Sequence, residues 1–240
     1  MTPYIGEFAG CVALILFGDG VVANVLLRGS KGHGSGWIVI ATGWGLAVMV
    51  AVLVANAAGS PEADINPAVT VAKWVLGIHQ DAIVVLGYIA AQIAGCFVGA
   101  VLVWLTYLPH WQATPEAALK RGVFCTDPAI EHRVGNLLSE TIGTVALVIG
   151  IGGIVAAGQM PAGLGPFLVG GLVWAIGLSL GGPTGYAINP ARDFGPRLAH
   201  ALLPIAGKGD SAWSYAWVPV FGPLVGAVLG ALIWIGLLNG

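Results

Sequence analysis

Long apolar stretches dominate this chain and are separated by short polar connections. Six of them, 4–27, 38–59, 82–108, 134–157, 165–182 and 215–238, are near or above the roughly 20 residues that a helix needs to cross a hydrocarbon core of about 30 Å. Two further apolar stretches, 67–78 and 190–203, are too short. At about 1.5 Å per residue, a dozen helical residues reach only halfway through the bilayer. Each of these begins with the same tripeptide, Asn66-Pro67-Ala68 and Asn189-Pro190-Ala191. Asparagine caps a helix and proline suits its first turn, so the pattern predicts two helices that start inside the membrane.

The pattern also repeats. Gly6-Glu7-Phe8-Ala9-Gly10 opens the first half and Ser139-Glu140-Thr141-Ile142-Gly143 the second. Each is followed by two spans and an Asn-Pro-Ala half-helix in the same order. Three spans per half is an odd number, so the second half enters the membrane from the opposite side, an inverted repeat. The expected fold is an all-α membrane protein of six transmembrane helices plus two re-entrant half-helices. It forms one domain, 1–240, with repeats 1–108 and 134–240. The polar segment 108–133 is expected to be a loop rather than a domain.

Composition agrees with a lipid environment. Hydrophobic residues make up 57% and charged residues only 8%, against about 25% charged in a typical soluble domain. A net charge of −2 from so few ionisable groups offers no basic surface, which sets nucleic acid aside as a partner. The first apolar stretch lacks a basic leader and a small-residue cleavage site, so it is expected to be retained as a span. Cys11 and Cys96 fall in apolar stretches and Cys125 in a polar connection, which argues against a disulfide framework. His200 has no second ligand at useful spacing, and neither a metal nor a cofactor is expected.

Non-helical backbone is tolerated at membrane depth only where it is buried in protein or lines a water-filled cavity. Two such stretches facing each other therefore predict a lined path. Each half-helix N-terminus carries about half a positive charge, and the amides of Asn66 and Asn189 can donate to a passing oxygen. Such a site welcomes a neutral hydroxyl compound or water and repels cations.

The segments Ile65-Asn66-Pro67-Ala68-Val69-Thr70 and Gly185-Tyr186-Ala187-Ile188-Asn189-Pro190-Ala191-Arg192-Asp193-Phe194-Gly195-Pro196 resemble the two signature segments of the major intrinsic protein, or aquaporin, family. The second is similar to that of bacterial glycerol facilitators. The resemblance implies a homotetramer with one pore per subunit, cytoplasmic termini, a bacterial inner membrane, and passive transport of glycerol and similar neutral solutes without a cofactor. It implies a selectivity filter of Trp44, Gly177, Tyr186 and Arg192. Glycine at 177 stands where water-selective relatives commonly have histidine, and Tyr186 where facilitators usually have phenylalanine. Asp193, Arg197 and Pro219 also match the glycerol branch. Backbone carbonyls of Glu62, Ala63 and Asp64, and of Thr184, Gly185 and Tyr186, would form a ladder of acceptors. Glu7 and Glu140 match the buried glutamates that hold the re-entrant loops.

One departure from the family lies in Pro61-Glu62-Ala63-Asp64, where a histidine commonly precedes the first motif. The two carboxyls either face the lumen, where they would disfavour anions such as lactate, or point into loop contacts. Gly95 and Gly99, and Gly222, Gly226 and Gly230, form small-residue ridges that predict close helix packing. Charge placement conflicts with the implied orientation, since Arg28, Lys31, Lys120, Arg121, Arg133 and Lys208 would lie outside and only Lys73 inside. The rival readings are a water-only pore, a facilitator of undissociated lactic acid or propanediol, and an ion-coupled transporter. A hydrolase elbow, Gly177-Leu178-Ser179-Leu180-Gly181, is the weakest, because it falls inside an apolar helix.

Overall fold

A computed structural model describes residues 2–161 and 163–238. Met1, Ala162, Asn239 and Gly240, which the expected repeat bounds include, lie outside the described residues. The regular structure of the described residues is all helix: α1 (Pro3–Leu26), α2 (Trp37–Ala57), α3 (Pro67–Val75), α4 (Ala82–Thr106), α5 (Leu108–Ala113), α6 (Ala117–Phe124), α7 (Arg133–Ala156), α8 (Leu164–Leu180), α9 (Pro190–Leu202) and α10 (Trp217–Leu238). Five of these, α1, α2, α4, α7 and α10, are long and apolar enough to cross a membrane. The sixth, α8, has 17 residues and sits at the short end of the spanning range of about 17–25. The chain is a multi-pass membrane protein.

Its surface is turned inside out relative to a soluble bundle. Leu86 is 66% exposed and Ile83 75%, while Glu7, Gln92, Glu140 and Arg197 are completely or almost completely buried. Apolar side chains face lipid, and the interior holds the polar groups. Small residues then set how closely the helices approach. On α10, a Cβ at Gly226 would lie 2.5 Å from the Thr141 carbonyl, and one at Gly222 would lie 2.6 Å from the Glu140 Cβ. Gly99 on α4 does the same against Ile15 of α1, at 2.7 Å. The two glycine ridges thus occupy equivalent helix pairs, α10 on α7 and α4 on α1.

The connection 108–133, expected as a loop, carries the two short helices α5 and α6. It is pinned rather than free: Arg28 pairs with Glu116, Lys120 donates to the Ala206 carbonyl, and Trp111 stacks on Phe124 at 5.4 Å. Helices of six and eight residues are too short for hydrophobic periodicity to reveal.

Candidate functional site

The half-helices α3 and α9 begin beside each other in the interior. Asn66 caps α3 by accepting from the Ala68 amide at 2.8 Å, and Asn189 caps α9 by accepting from Ala191 and Arg192 at 3.0 and 3.2 Å. The remaining ends of the two side chains cross over. Asn66 Nδ2 donates to the Ile188 carbonyl at 2.8 Å, and Asn189 Nδ2 donates to the Ile65 carbonyl at 2.9 Å. A primary amide has two hydrogens, so each asparagine keeps one donor after this exchange. Both residues border a cavity of about 410 Å³. Pro67 and Pro190 take the first helical positions, and Ala68 and Ala191 are fully buried, leaving no space for larger side chains.

The loops leading into these caps are strained. Ala63 (φ 43°), Ile65 (47°), Tyr186 (39°) and Ile188 (42°) all have left-handed backbone, which costs of order 1–3 kcal/mol for a residue with a Cβ. Two buried carboxylates hold that geometry. Glu7 accepts from the amides of Asp64 and Ile65 at 2.9 and 2.7 Å, and Glu140 accepts from those of Ala187 and Ile188 at 2.9 and 2.8 Å. Ser60 and Gln92 also donate to Glu7. With the amides drawn to one side, the carbonyls of Ala63, Asp64, Thr184, Gly185 and Tyr186 are left without a donor among the described residues. Ala63, Asp64 and Tyr186 border the cavity, whereas Thr184 and Gly185 are not among its lining residues.

Glu62 departs from the expected ladder. Its carbonyl accepts from Lys73 Nζ at 2.9 Å and is already occupied. Lys73 also pairs with the Glu62 carboxylate at 2.9 Å and with Asp64 at 2.5 Å. Asp64 further accepts from Thr70 and meets His79 Nε2, both at 2.8 Å. The Asp64 side chain is therefore a loop contact, fully buried, while Glu62 is the carboxyl that rims the cavity. Replacing Lys73 with methionine leaves Asp64 short of a cation. Because Lys73 is partly exposed, the expected loss is about 1–3 kcal/mol, read as a lower unfolding temperature in detergent. An unchanged melting curve would mean that His79 and Thr70 suffice.

At the other end of the cavity stand Trp44, Tyr186 and Arg192. The Arg192 guanidinium carbon lies 4.0 Å over the Trp44 ring. Among the described residues none accepts from the guanidinium, and the one Arg192 donor in use is its backbone amide, bonded to Asn189. Tyr186 packs edge-on against Trp37 at 5.8 Å, and its hydroxyl has no partner among the described residues. Gly177 does not border the cavity. A Cβ there would lie 2.7 Å from both Cζ and Oη of Tyr186, so the space that glycine frees is filled by the phenol ring. Trp37 Nε1 donates to the Gly177 carbonyl at 2.9 Å and fixes that corner. Sequence reasoning missed Trp37, one of nine tryptophans with no motif around it.

Asp193 supports loops on the Arg192 side. It accepts from the Thr126 amide and hydroxyl at 2.9 and 2.6 Å and from Arg197 at 2.7 and 2.9 Å. Arg197 then donates to the carbonyls of Thr126, Ser211 and Ala212, tying two connections to α9. His200 meets Ser211 Oγ at 2.8 Å, and Lys208 donates to the carbonyls of His200, Ala201 and Leu203 at the end of the half-helix. Cys11, Cys96 and Cys125 are free and buried. The segment 177–181 belongs to the last turn of α8 and its cap, with Ser179 facing outward, rather than to a strand-helix elbow.

This geometry has relatives. Residues 1–234 match the family model described as major intrinsic protein. A probable glycerol uptake facilitator protein of Thermotoga maritima is 59% identical over 235 residues, covering 98% of each chain. The glycerol uptake facilitator protein of Bacillus subtilis is 52% identical over 240 residues, covering all of this chain and 86% of that one. The X-ray structure of the aquaglyceroporin from Plasmodium falciparum superposes with a TM-score of 0.83 at 29% identity, covering 96% of this chain and 93% of that one. The extent of the match, together with two crossed asparagine caps at the start of opposed half-helices, places this chain in the major intrinsic protein family.

Proposed function

We propose that this protein is a passive channel for glycerol and related small uncharged solutes, and that it also passes water. The observation that carries the reading is the wall near Arg192. There, unpaired guanidinium donors lie on the Trp44 face in one cavity with Tyr186. A polyol has a carbon side and a hydroxyl side. Aromatic faces suit the first, and a planar fork of donors suits adjacent hydroxyls. Trp44, Tyr186 and Arg192 form the filter in this reading, with Gly177 behind it as the seat of Tyr186. The free amide hydrogens of Asn66 and Asn189 and the unpaired carbonyls of Ala63, Asp64 and Tyr186 carry the hydroxyls between the mouths. The relatives named as glycerol uptake facilitators support the same solute class.

The protein works as one channel domain of two inverted repeats. It forms a homotetramer in a bacterial inner membrane, with no enzymatic step and no cofactor. In this reading the termini are cytoplasmic. Four of the six cations that oppose that orientation, Arg28, Lys120, Arg121 and Lys208, are engaged in ion pairs or carbonyl contacts. A water-only pore is the second reading, favoured by the Tyr186 ring filling the space beside Gly177. Stopped-flow light scattering of proteoliposomes separates them. Re-swelling under a glycerol gradient supports the polyol channel, while fast water flux without glycerol entry supports the narrower pore. Flux that a protonophore abolishes would indicate an ion-coupled transporter instead.

A further inference from the structure

Lys73 borders the cavity, yet its ammonium is turned toward the protein. It lies in the last turn of α3, about 9 Å along the helix from Pro67 at about 1.5 Å per residue. There it meets Glu62 on the incoming loop, which borders the same cavity. Three oxygens converge on Lys73 Nζ: the Glu62 carbonyl and Oε2, both at 2.9 Å, and Asp64 Oδ1 at 2.5 Å. The other Asp64 oxygen is taken by Thr70 and His79, each at 2.8 Å, which leaves Oδ1 to face the ammonium. The negative end of the α3 dipole adds to the attraction. One carbonyl and two carboxylates around a single point make a site for a small cation, and the chain fills it with its own ammonium. The site is built into the wall, since the Asp64 side chain is fully buried and that of Lys73 only 16% exposed.

We propose that Lys73 is a specificity-determining residue of this pore mouth, the tethered occupant of a cation site that would otherwise take a soluble ammonium or alkylammonium ion in the path of the solute. This rests on the channel reading given above, in which the cavity is the path. Without Lys73, two carboxylates and an unpaired carbonyl remain at the wall, and a negative wall of low dielectric concentrates mobile cations. A cation held there obstructs glycerol. Lys73 satisfies the same oxygens while its stem anchors the charge to α3, so the mouth stays open to neutral solutes.

The test is chemical rescue of Lys73→Ala with propylammonium, an ammonium on a stem like the one removed, against tetramethylammonium, which carries the charge without an N–H. Either salt is equilibrated across proteoliposomes of the full chain before a glycerol gradient is applied, and unfolding is followed in detergent with the same salts. For Lys73→Ala, propylammonium is expected to raise the unfolding temperature and to lower glycerol permeability about threefold or more, while the wild type changes in neither. Adding Glu62→Gln is expected to raise the half-effective concentration about tenfold, the scale of one charge-assisted contact. Equal behaviour of the two salts on Lys73→Ala overturns the proposal. So does rescue of unfolding with glycerol flux unaltered, which would put the site off the path. Lys73→Met keeps the stem and serves, with methylammonium as the probe, if the alanine variant does not fold. Failure of both to insert assigns Lys73 to folding and also overturns it. Wild-type liposomes that admit no glycerol would instead overturn the channel reading, so the two failures are distinct.

Discussion

A Glu140→Leu chain is expected to be unable to hold a conducting pore. Glu140 is the acceptor for two consecutive amides, Ala187 and Ile188, in a fully buried loop. Leucine is of similar size but accepts nothing, so both N–H groups are orphaned at about 1–3 kcal/mol each. The left-handed residues Tyr186 and Ile188 then lose what keeps them there, and relaxing them turns the Ile188 carbonyl away from Asn66. The summed effect is comparable to the whole stability of a domain, about 5–15 kcal/mol, only if the loop collapses, and a graded series shows whether it does. Glu140→Gln keeps one acceptor oxygen and is expected to insert with a lowered unfolding temperature. Glu140→Leu is expected to aggregate on detergent extraction. If the leucine variant extracts as a monodisperse protein with wild-type glycerol flux, the carboxylate is not what supports the loop.

The second large effect is expected from Gly177→His. A side chain at 177 cannot share space with the Tyr186 phenol, 2.7 Å from where the Cβ would be. Trp37 and Gly181 close the same corner around the ring, so the displaced phenol is expected to move into the cavity that Tyr186 borders. Glycerol flux should fall by about two orders of magnitude or more, since a solute that no longer fits meets a steric rather than a graded barrier. Water flux should be reduced less. The mechanism is tested by Gly177→His combined with Tyr186→Ala. Removing the displaced ring should restore glycerol entry to within about tenfold of wild type. A double variant as tight as the single one would mean that the histidine itself, not the tyrosine it displaces, closes the path.

Much of the scaffold was legible because its signals are local. An asparagine followed by proline is a cap with a helix start, and a twelve-residue apolar run cannot cross, so the half-helices and their motifs follow from residues adjacent in sequence. Glu7 and Glu140 stood out as charges within apolar spans. What stayed hidden depends on pairs distant in the chain. Trp37 fixes Gly177 through a backbone carbonyl 140 positions away, and no periodicity signals such a bond. The sequence left Glu62 and Asp64 open between lumen and loop, and Lys73, on the next helix, decides the matter by bonding to both. Gly177 was read from the sequence as a filter residue whose small size leaves space for the solute, whereas it does not border the cavity and the space beside it holds the Tyr186 ring. The occupant of the freed space, Tyr186, could be found only in three dimensions.

The crossed asparagines have a consequence for how the protein is made. During synthesis the first half enters the membrane while the Ile188 carbonyl, 122 residues further on, does not yet exist. Until the second half arrives, the Asn66 amide and the Ile65 carbonyl have no mutual partners, and the re-entrant loop has no opposing wall. A nascent chain halted after α4 is therefore an intermediate with a polar turn at bilayer depth, dependent on water or the insertion machinery for its missing bonds. The join between the halves is closed last, and each half then completes the hydrogen bonding of the other.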